Sequence, residues 1–158
     1  MRLRKPLIWL ALLFLTNPIT MFAQSTEGKT LTGVWEVKIE AGGVAPPPLL
    51  SLAIFGGDGS FTTTGNSKID VAGLADQRGP GFGRWAQAGN RDFKLTFYAV
   101  LLKEGAVNGY MRVSSTLTLS ESGNDFISKG CHVEFLYQNW NVRDSDDDQV
   151  SGKRLDTP

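Results

Sequence analysis

Residues 33–40 read GVWEVKIE, in which apolar side chains alternate with mostly charged ones. Trp35, Val37 and Ile39 fall on one face of an extended chain, and the glutamates and the lysine fall on the other. Strict alternation is typical of a β-strand with one buried face, because successive side chains of a strand point to opposite sides. The segment therefore predicts a first strand whose apolar face packs into a core.

The rest of the chain repeats segments of this kind between turns rich in glycine, asparagine and aspartate, without a long stretch of helical spacing. Such turn residues supply the backbone conformations that hairpins need. Seven further strands are predicted, at Leu49–Phe55, Ser60–Thr64, Gly81–Gln87, Asp92–Leu102, Val107–Leu119, Asp125–Tyr137 and Gln149–Leu155. The pattern thus predicts an all-β domain.

The lengths of the connections alternate along the chain. Tight turns are expected near 56–59, 88–91 and 120–124, and longer loops at 41–48, 65–80 and 138–148, with 103–106 as a short exception. If the strands run up and down, the tight turns gather at one end, the base, and the longer loops at the other end, the mouth. This asymmetry predicts an eight-stranded antiparallel up-and-down β-barrel, whereas a β-sandwich has no reason to produce it.

Residues 1–23 have the three parts of a helical secretory signal peptide: a basic start, the apolar run Leu7–Leu15, and a cleavage site after Ala23. We expect cleavage to leave residues 24–158 as a single β-barrel domain that is secreted or periplasmic. The apolar run is too short to be a comfortable membrane span, and no stable span is expected after the cut. An uncleaved amino-terminal anchor is the alternative.

The charge balance and the rare residues exclude several kinds of function. The chain carries 16 Lys and Arg against 16 Asp and Glu, and the signal peptide holds three of the basic residues, which leaves 13 against 16. A nucleic-acid partner is therefore not expected. Cys131 is the sole cysteine, so its thiol is either buried or available to another chain. His132 is the sole histidine, which excludes a three-histidine zinc site, and we predict no cofactor and no metal.

Two short motifs mark the ends of the predicted barrel. Gly33-Val34-Trp35 opens the first strand, and Gly152-Lys153-Arg154 lies in the last. These strands meet at the base of an eight-stranded barrel, and their alternation puts Trp35 and Arg154 on the inner face. We predict that Arg154, rather than Lys153, stacks on Trp35 as a base plug, a cation–π contact worth about 0.5–2 kcal/mol.

This pairing resembles the lipocalin and wider calycin pattern, in which a G-x-W motif in the first strand packs under a basic residue from the last. The resemblance implies a barrel that binds a small molecule. The chain departs from typical lipocalins because it lacks their disulfides and an obvious long carboxy-terminal helix. It also resembles small exported bacterial proteins of unassigned function that share the GPGFGRW segment of residues 79–85, and this second resemblance implies no chemistry.

The ligand-binding positions are expected on the inner face near the mouth. They are Val37, Ile39, Phe97, Ala99, Met111, Val113, His132 and Glu134. The last two depend on the register of the preceding hairpin. If Leu119 and Phe126 point inward together, the His–Glu pair also points inward and orients the polar end of a ligand. The opposite register puts Cys131, Val133 and Phe135 inside, and the predicted site adopts the first register.

An acidic run near the carboxy terminus first suggests a calcium site. Asp144, Asp146 and Asp148 have the spacing of an EF-hand loop, but Gln149 and Leu155 occupy the positions that need glycine and glutamate. The run is therefore expected to be a solvated loop at the mouth.

These observations favour an exported binding module for a small apolar or amphipathic molecule. One alternative is a barrel-type cyclase or isomerase, which steers an apolar substrate mainly by the shape of its pocket. Another is a structural or interaction barrel whose interior is filled by its own side chains. The outer face of the strand at Asp92–Leu102 is also apolar, so it needs cover from a loop, a ligand or a second copy in a homodimer.

Overall fold

The computed structural model describes residues 29–40, 49–65, 73 and 75–155. Within these residues, eight strands form one closed antiparallel sheet in chain order. They are β1 (Gly33–Glu40), β2 (Leu49–Phe55), β3 (Ser60–Thr63), β4 (Gln77–Gln87), β5 (Asp92–Lys103), β6 (Ala106–Leu119), β7 (Asp125–Leu136) and β8 (Val142–Arg154). The predicted eight-stranded up-and-down barrel is confirmed, and this architecture is compatible with the calycin resemblance.

Some expectations fall on parts of the chain outside this description. The signal peptide at 1–23, the loop at 41–48 and half of the loop at 65–80 lie there. In the described part, no helix has the length and apolar character needed to cross a membrane.

The base of the barrel is filled by aromatic side chains on the inner faces of the strands. Trp35 is fully buried, and its ring centroid lies 5.0 Å from that of Phe126. Phe55 meets Phe61 with centroids 4.9 Å apart, and it also contacts Trp85 edge to face. Tilted and edge-to-face contacts of this kind add stability beyond the area they bury. The aromatic part of the hydrophobic core therefore sits at the base, where the tight turns lie, and buried aliphatic residues such as Leu101 and Val113 continue the core toward the mouth.

Arg154 covers the buried tryptophan from outside. Its guanidinium lies 4.4 Å from the centroid of the Trp35 ring, and its Nε and Nη2 atoms donate to the carbonyl oxygens of Gly123 and Thr30. The indole Nε1 of Trp35 donates to the Leu31 carbonyl oxygen at 2.7 Å. The base plug of Trp35 and Arg154 thus has the geometry that the sequence predicts, and it joins the first and last strands of the barrel.

The glycines of the two terminal motifs make room for this packing. Gly33 has φ of +138°, and a Cβ atom there would lie 2.7 Å from Nη1 of Arg154. A Cβ atom at Gly152 would lie 2.2 Å from the Phe126 ring, closer than atoms can approach. Any larger side chain would therefore displace the arginine or the ring.

The last strand is longer than the sequence predicts. β8 begins at Val142 rather than Gln149, so the expected loop at 138–148 is wrong. Aspartate is depleted in strands, which is why the acidic run reads as a loop. The long β7 strand needs a partner, however, and it pairs with β8 up to Val142.

β4 also begins earlier, at Gln77 instead of Gly81. Its pairing with β5 shifts between Arg78 and Gly81, which is a β-bulge or a related irregularity. Such irregularities bend a strand and redirect its side chains. Arg78, expected in the loop at 65–80, therefore lies on a strand at the mouth end of the barrel.

The outer face of β5 is covered in part by the turn between β7 and β8. Trp140 from this turn stacks on Tyr110 with ring centroids 4.4 Å apart, and it meets Tyr98 edge to face. Cover from a loop is therefore present at Tyr98, whereas the homodimer stays a prediction.

Replacing either residue of the base plug should destabilise the barrel. Trp35→Ala should lower the free energy of unfolding by about 3–5 kcal/mol, because it leaves a large cavity in the packed base. Arg154→Ala should cost about 1–3 kcal/mol through the lost cation–π contact and charge-assisted hydrogen bonds. Urea unfolding followed by circular dichroism measures both effects.

Lys153→Ala is the matched control, because Lys153 is exposed beside Arg154 on the same strand. It should change the free energy of unfolding by no more than about 0.5 kcal/mol. The role of Arg154 would be refuted if both alanine variants at 153 and 154 unfolded at the same urea concentration as the parent.

Candidate functional site

A cavity of about 610 Å³ lies inside the barrel. Its volume falls within the range of small-molecule pockets. Most of its wall is apolar, from Val37, Ile39, Leu49, Ala53, Phe55, Phe61, Leu95, Phe97, Met111, Val113, Leu117, Phe126, Val133, Phe135 and Val150. Polar groups interrupt this wall at Thr63, Arg78, Ser115, Cys131, Asp144, Ser145, Asp146 and Asp148. The site is thus an apolar chamber with polar groups on part of its wall.

Five of the eight predicted ligand-binding positions line this cavity, namely Val37, Ile39, Phe97, Met111 and Val113. Ala99 is buried and lies opposite Met111 across β5 and β6, but it does not form part of the cavity wall. Whether these residues contact a ligand stays a prediction.

The inward orientation expected for His132 and Glu134 is wrong. His132 is exposed, and its Nδ1 lies 2.9 Å from Asp147 Oδ1. Glu134 pairs with Arg112 on the outer face, and this guanidinium lowers the pKa of Glu134. Their neighbour Cys131 lines the cavity instead. The His–Glu pair is therefore not placed to orient a ligand inside the barrel.

An extra residue in β7 causes this reversal. Leu119 and Phe126 are both buried and lie opposite each other, as the expected register assumes. Across β8, however, Phe126 faces Gly152 and Cys131 faces Asp148, so β7 advances by five residues while β8 advances by four. The glycine before Cys131, with φ of +136°, lies within this bulge. One inserted residue moves every later side chain to the opposite face.

The outer row around His132 contains the residue types of a hydrolase triad. Ser114 lies opposite His132 on one side, and Asp147 lies opposite it on the other. The side chains of His132 and Asp147 are 50% and 83% exposed, and the described hydrogen bonds do not join Ser114 to His132. An activated serine needs a hydrogen-bonded base. This exposed row therefore gives no reason to infer acyl transfer.

The reversed register brings Cys131 into the barrel. Its side chain is buried, and burial followed by the charge of Asp148 raises the pKa of Cys131 to about 12. Ser115, its neighbour across β6, donates from its hydroxyl to the Gly130 carbonyl oxygen at 2.9 Å. The thiol therefore stays protonated at neutral pH and acts as a small apolar wall group.

Arg78 is one of the polar wall residues that sequence reasoning missed. Its side chain is only 4% exposed, and its Nη2 donates to the Thr64 carbonyl oxygen at 3.0 Å. Its Nη1 is buried without a hydrogen-bond partner among the described residues. Burial lowers the pKa of Arg78, although a guanidinium stays charged. The nearby hydroxyls of Ser51 and Thr63 bond each other at 2.7 Å.

Three aspartates form an acidic ladder on the cavity face of β8. Asp144 and Asp146 lie opposite Phe135 and Val133 across β7, and Asp148 continues the same face. The expected loop is thus a strand whose alternate residues face the cavity, while Asp144 and Asp146 are exposed to solvent, as expected. The sequence held a signal for this, because the three positions share the alternation that places Arg154 at the base plug.

Comparisons of the chain with protein-family models, with curated proteins and with solved structures found no match. Across the described ranges, no group of three or more His, Cys, Asp or Glu side chains is placed to hold a metal ion, and this includes the acidic ladder.

The buried position of Cys131 predicts an unreactive thiol. At about pH 8, a pKa of about 12 leaves roughly one thiol in ten thousand as the reactive thiolate. Ellman's reagent should therefore leave the folded protein unlabelled and should label one thiol after unfolding in concentrated guanidinium chloride.

Ser114→Cys supplies the positive control, since Ser114 is exposed on the outer face of β6. This variant should release about one equivalent of chromophore within the mixing time while Cys131 stays protected. Rapid labelling of Cys131 in the folded parent would contradict the described register of β7.

Proposed function

We propose that the chain is an exported binding module that holds a small apolar or amphipathic molecule inside its barrel. The observation that carries this proposal is the cavity of about 610 Å³ with a mostly apolar wall. Secretion or transport to the periplasm is part of the proposal and rests on the features of residues 1–23.

The distribution of side chains supports binding over a purely structural role. Aromatic rings pack against each other at the base, as in an ordinary core. Further from the base, smaller side chains such as Val113 and Val133 line a space that the protein does not fill. Protein interiors rarely leave large apolar voids, because each void forfeits dispersion contacts. A space of this size is therefore a reason to expect a ligand.

The lipocalin-like resemblance supports the same conclusion. The base plug of Trp35 and Arg154 closes one end of the barrel, so a ligand would reach the cavity from the mouth. A buried acid–base pair inside the cavity would favour the cyclase alternative, and the His–Glu pair is the candidate that the sequence offers. Since both residues lie on the outer face, no observation favours that alternative.

An uncharged fluorophore tests binding without involving the charged groups of the wall. Nile red should bind the folded protein and gain fluorescence, because it leaves water for an apolar chamber. Val113→Trp should weaken this binding by about tenfold or more, since the indole would occupy the cavity. Fluorescence titration measures the affinity, and circular dichroism shows whether the variant keeps the barrel.

Ser114→Trp is the matched control, because Ser114 is the next residue of β6 and its side chain points outward. It should leave the affinity for Nile red unchanged. Equal affinities for the parent and the folded Val113→Trp variant would place the dye outside the barrel. That result, or no binding at all, would leave the structural barrel as the better account.

A further inference from the structure

Arg78 is a charged group that the fold itself does not explain. Burying an ion without a partner is costly, because the protein does not replace the water that solvated it. Among the described buried side chains, only Nη1 of Arg78 lacks a hydrogen-bond partner. The same residue forms part of the cavity wall. Because the unpartnered Nη1 belongs to a residue of the cavity wall, the cost of burying it points to a ligand that accepts its hydrogen bond.

The carboxylates of the described residues do not supply this partner. The described ion pairs within 4.0 Å do not include Arg78, and burial alone accounts for the lowered pKa of its guanidinium. The acidic ladder lies on β8, which is four strands away from β4 in either direction around the closed sheet. The cationic and acidic groups therefore belong to opposite walls of one cavity.

The hydroxyl groups beside Arg78 are already engaged. Ser51 and Thr63 bond each other, and Thr63 also donates to the Leu52 carbonyl oxygen at 3.1 Å. Among the described polar groups of this part of the wall, the Arg78 guanidinium is therefore the one with a donor that lacks a partner. Most of the wall beyond Arg78 is apolar, so a ligand that combines an anionic group with a hydrocarbon body fits this cavity.

We propose that the ligand is an amphipathic monoanion whose carboxylate is held by Arg78 and whose apolar body lies in the barrel. This inference rests on the binding module proposed above and names the chemistry of its ligand. A guanidinium matches a carboxylate in shape and charge, and charge-assisted hydrogen bonds are the strong ones.

The acidic ladder favours a single negative charge over a larger one. Asp144, Asp146 and Asp148 face the same cavity, and each repels an anion that approaches their wall. A phosphate monoester, with about two negative charges at neutral pH, would feel about twice this repulsion. A carboxylate bound to Arg78 carries one negative charge and lies on the wall opposite the acidic ladder. The three aspartates therefore repel it less than they repel a phosphate monoester.

A set of ligands with one chain length and different head groups tests the proposal. Calorimetric titrations of the parent protein with dodecanoate, dodecanol and dodecylamine, all kept monomeric, compare an anion, a neutral group and a cation. We expect dodecanoate to bind about 10- to 100-fold more tightly than dodecanol, the range expected for one charge-assisted contact. Dodecylamine should bind more weakly than dodecanoate.

Arg78→Met should remove the preference for dodecanoate over dodecanol and leave the affinity for dodecanol within about twofold. It should also raise the thermal midpoint of the ligand-free protein, because an apolar side chain replaces an uncompensated buried charge. Arg84→Met is the matched control, since Arg84 lies on the same strand and is exposed. This control should keep the preference for dodecanoate.

The outcomes separate this inference from the proposed function. Equal binding of dodecanoate and dodecanol by the parent would overturn the role of Arg78 while the binding module stands, and tighter binding of dodecylamine would make the acidic ladder the anchor. A lower thermal midpoint with an unchanged dodecanoate preference in Arg78→Met would make Arg78 a structural residue.

Failure of all three ligands and of Nile red would overturn both proposals. If Arg78→Met does not fold, the head-group comparison on the parent protein decides.

Discussion

The barrel depends on one closure, the pairing of its first and last strands. Trp35 lies opposite Arg154 across β1 and β8, and the guanidinium over the indole fixes that register at the base. The arginine also bonds carbonyl oxygens that lie before β1 and between β6 and β7, so it connects distant parts of the chain. Because a closed sheet has no exposed edge, this contact removes the two edges that β1 and β8 would otherwise present.

The closed base has a consequence for the opposite end. Aromatic rings fill the lower interior, whereas shorter side chains further along the same strands leave a cavity between the walls. The same interior holds Arg78, whose buried Nη1 lacks a partner among the described residues, and burying a charge in this way is generally costly. Binding sites often retain groups that are unfavourable without their ligand, because those groups give specificity when the ligand is present. Close packing at the base and a partly unsatisfied guanidinium in the cavity thus occur in the same barrel.

Local patterns were sufficient to predict the barrel and its base. Alternation located β1 and β2 at their observed bounds, and the shared parity of Trp35 and Arg154 identified the base plug. The site was less predictable, because register is not a local property. A single inserted residue in β7 moved His132 and Glu134 to the outer face, although the pairing assumed at the start of that hairpin was right.

The two polar features of the cavity escaped prediction for a different reason. Strand propensity argues against the acidic ladder, yet β7 required a partner and strand pairing prevailed over propensity. Arg78 precedes Gly79 and Pro80, which read as a loop, and only the irregular pairing of β4 with β5 shows it on a strand. Nothing in the spacing of residues shows that one nitrogen of a buried arginine lacks a described partner, since this depends on all the groups around it.

Native mass spectrometry of the protein, purified from the cells that produce it, would examine the cavity in its natural state. The account predicts a complex heavier than the chain by the mass of one small molecule, which organic solvent releases and which carries a hydrocarbon body and one acidic group. A chain that carries no small molecule under gentle ionisation, or one that carries a hydrophilic or cationic molecule, would contradict the account.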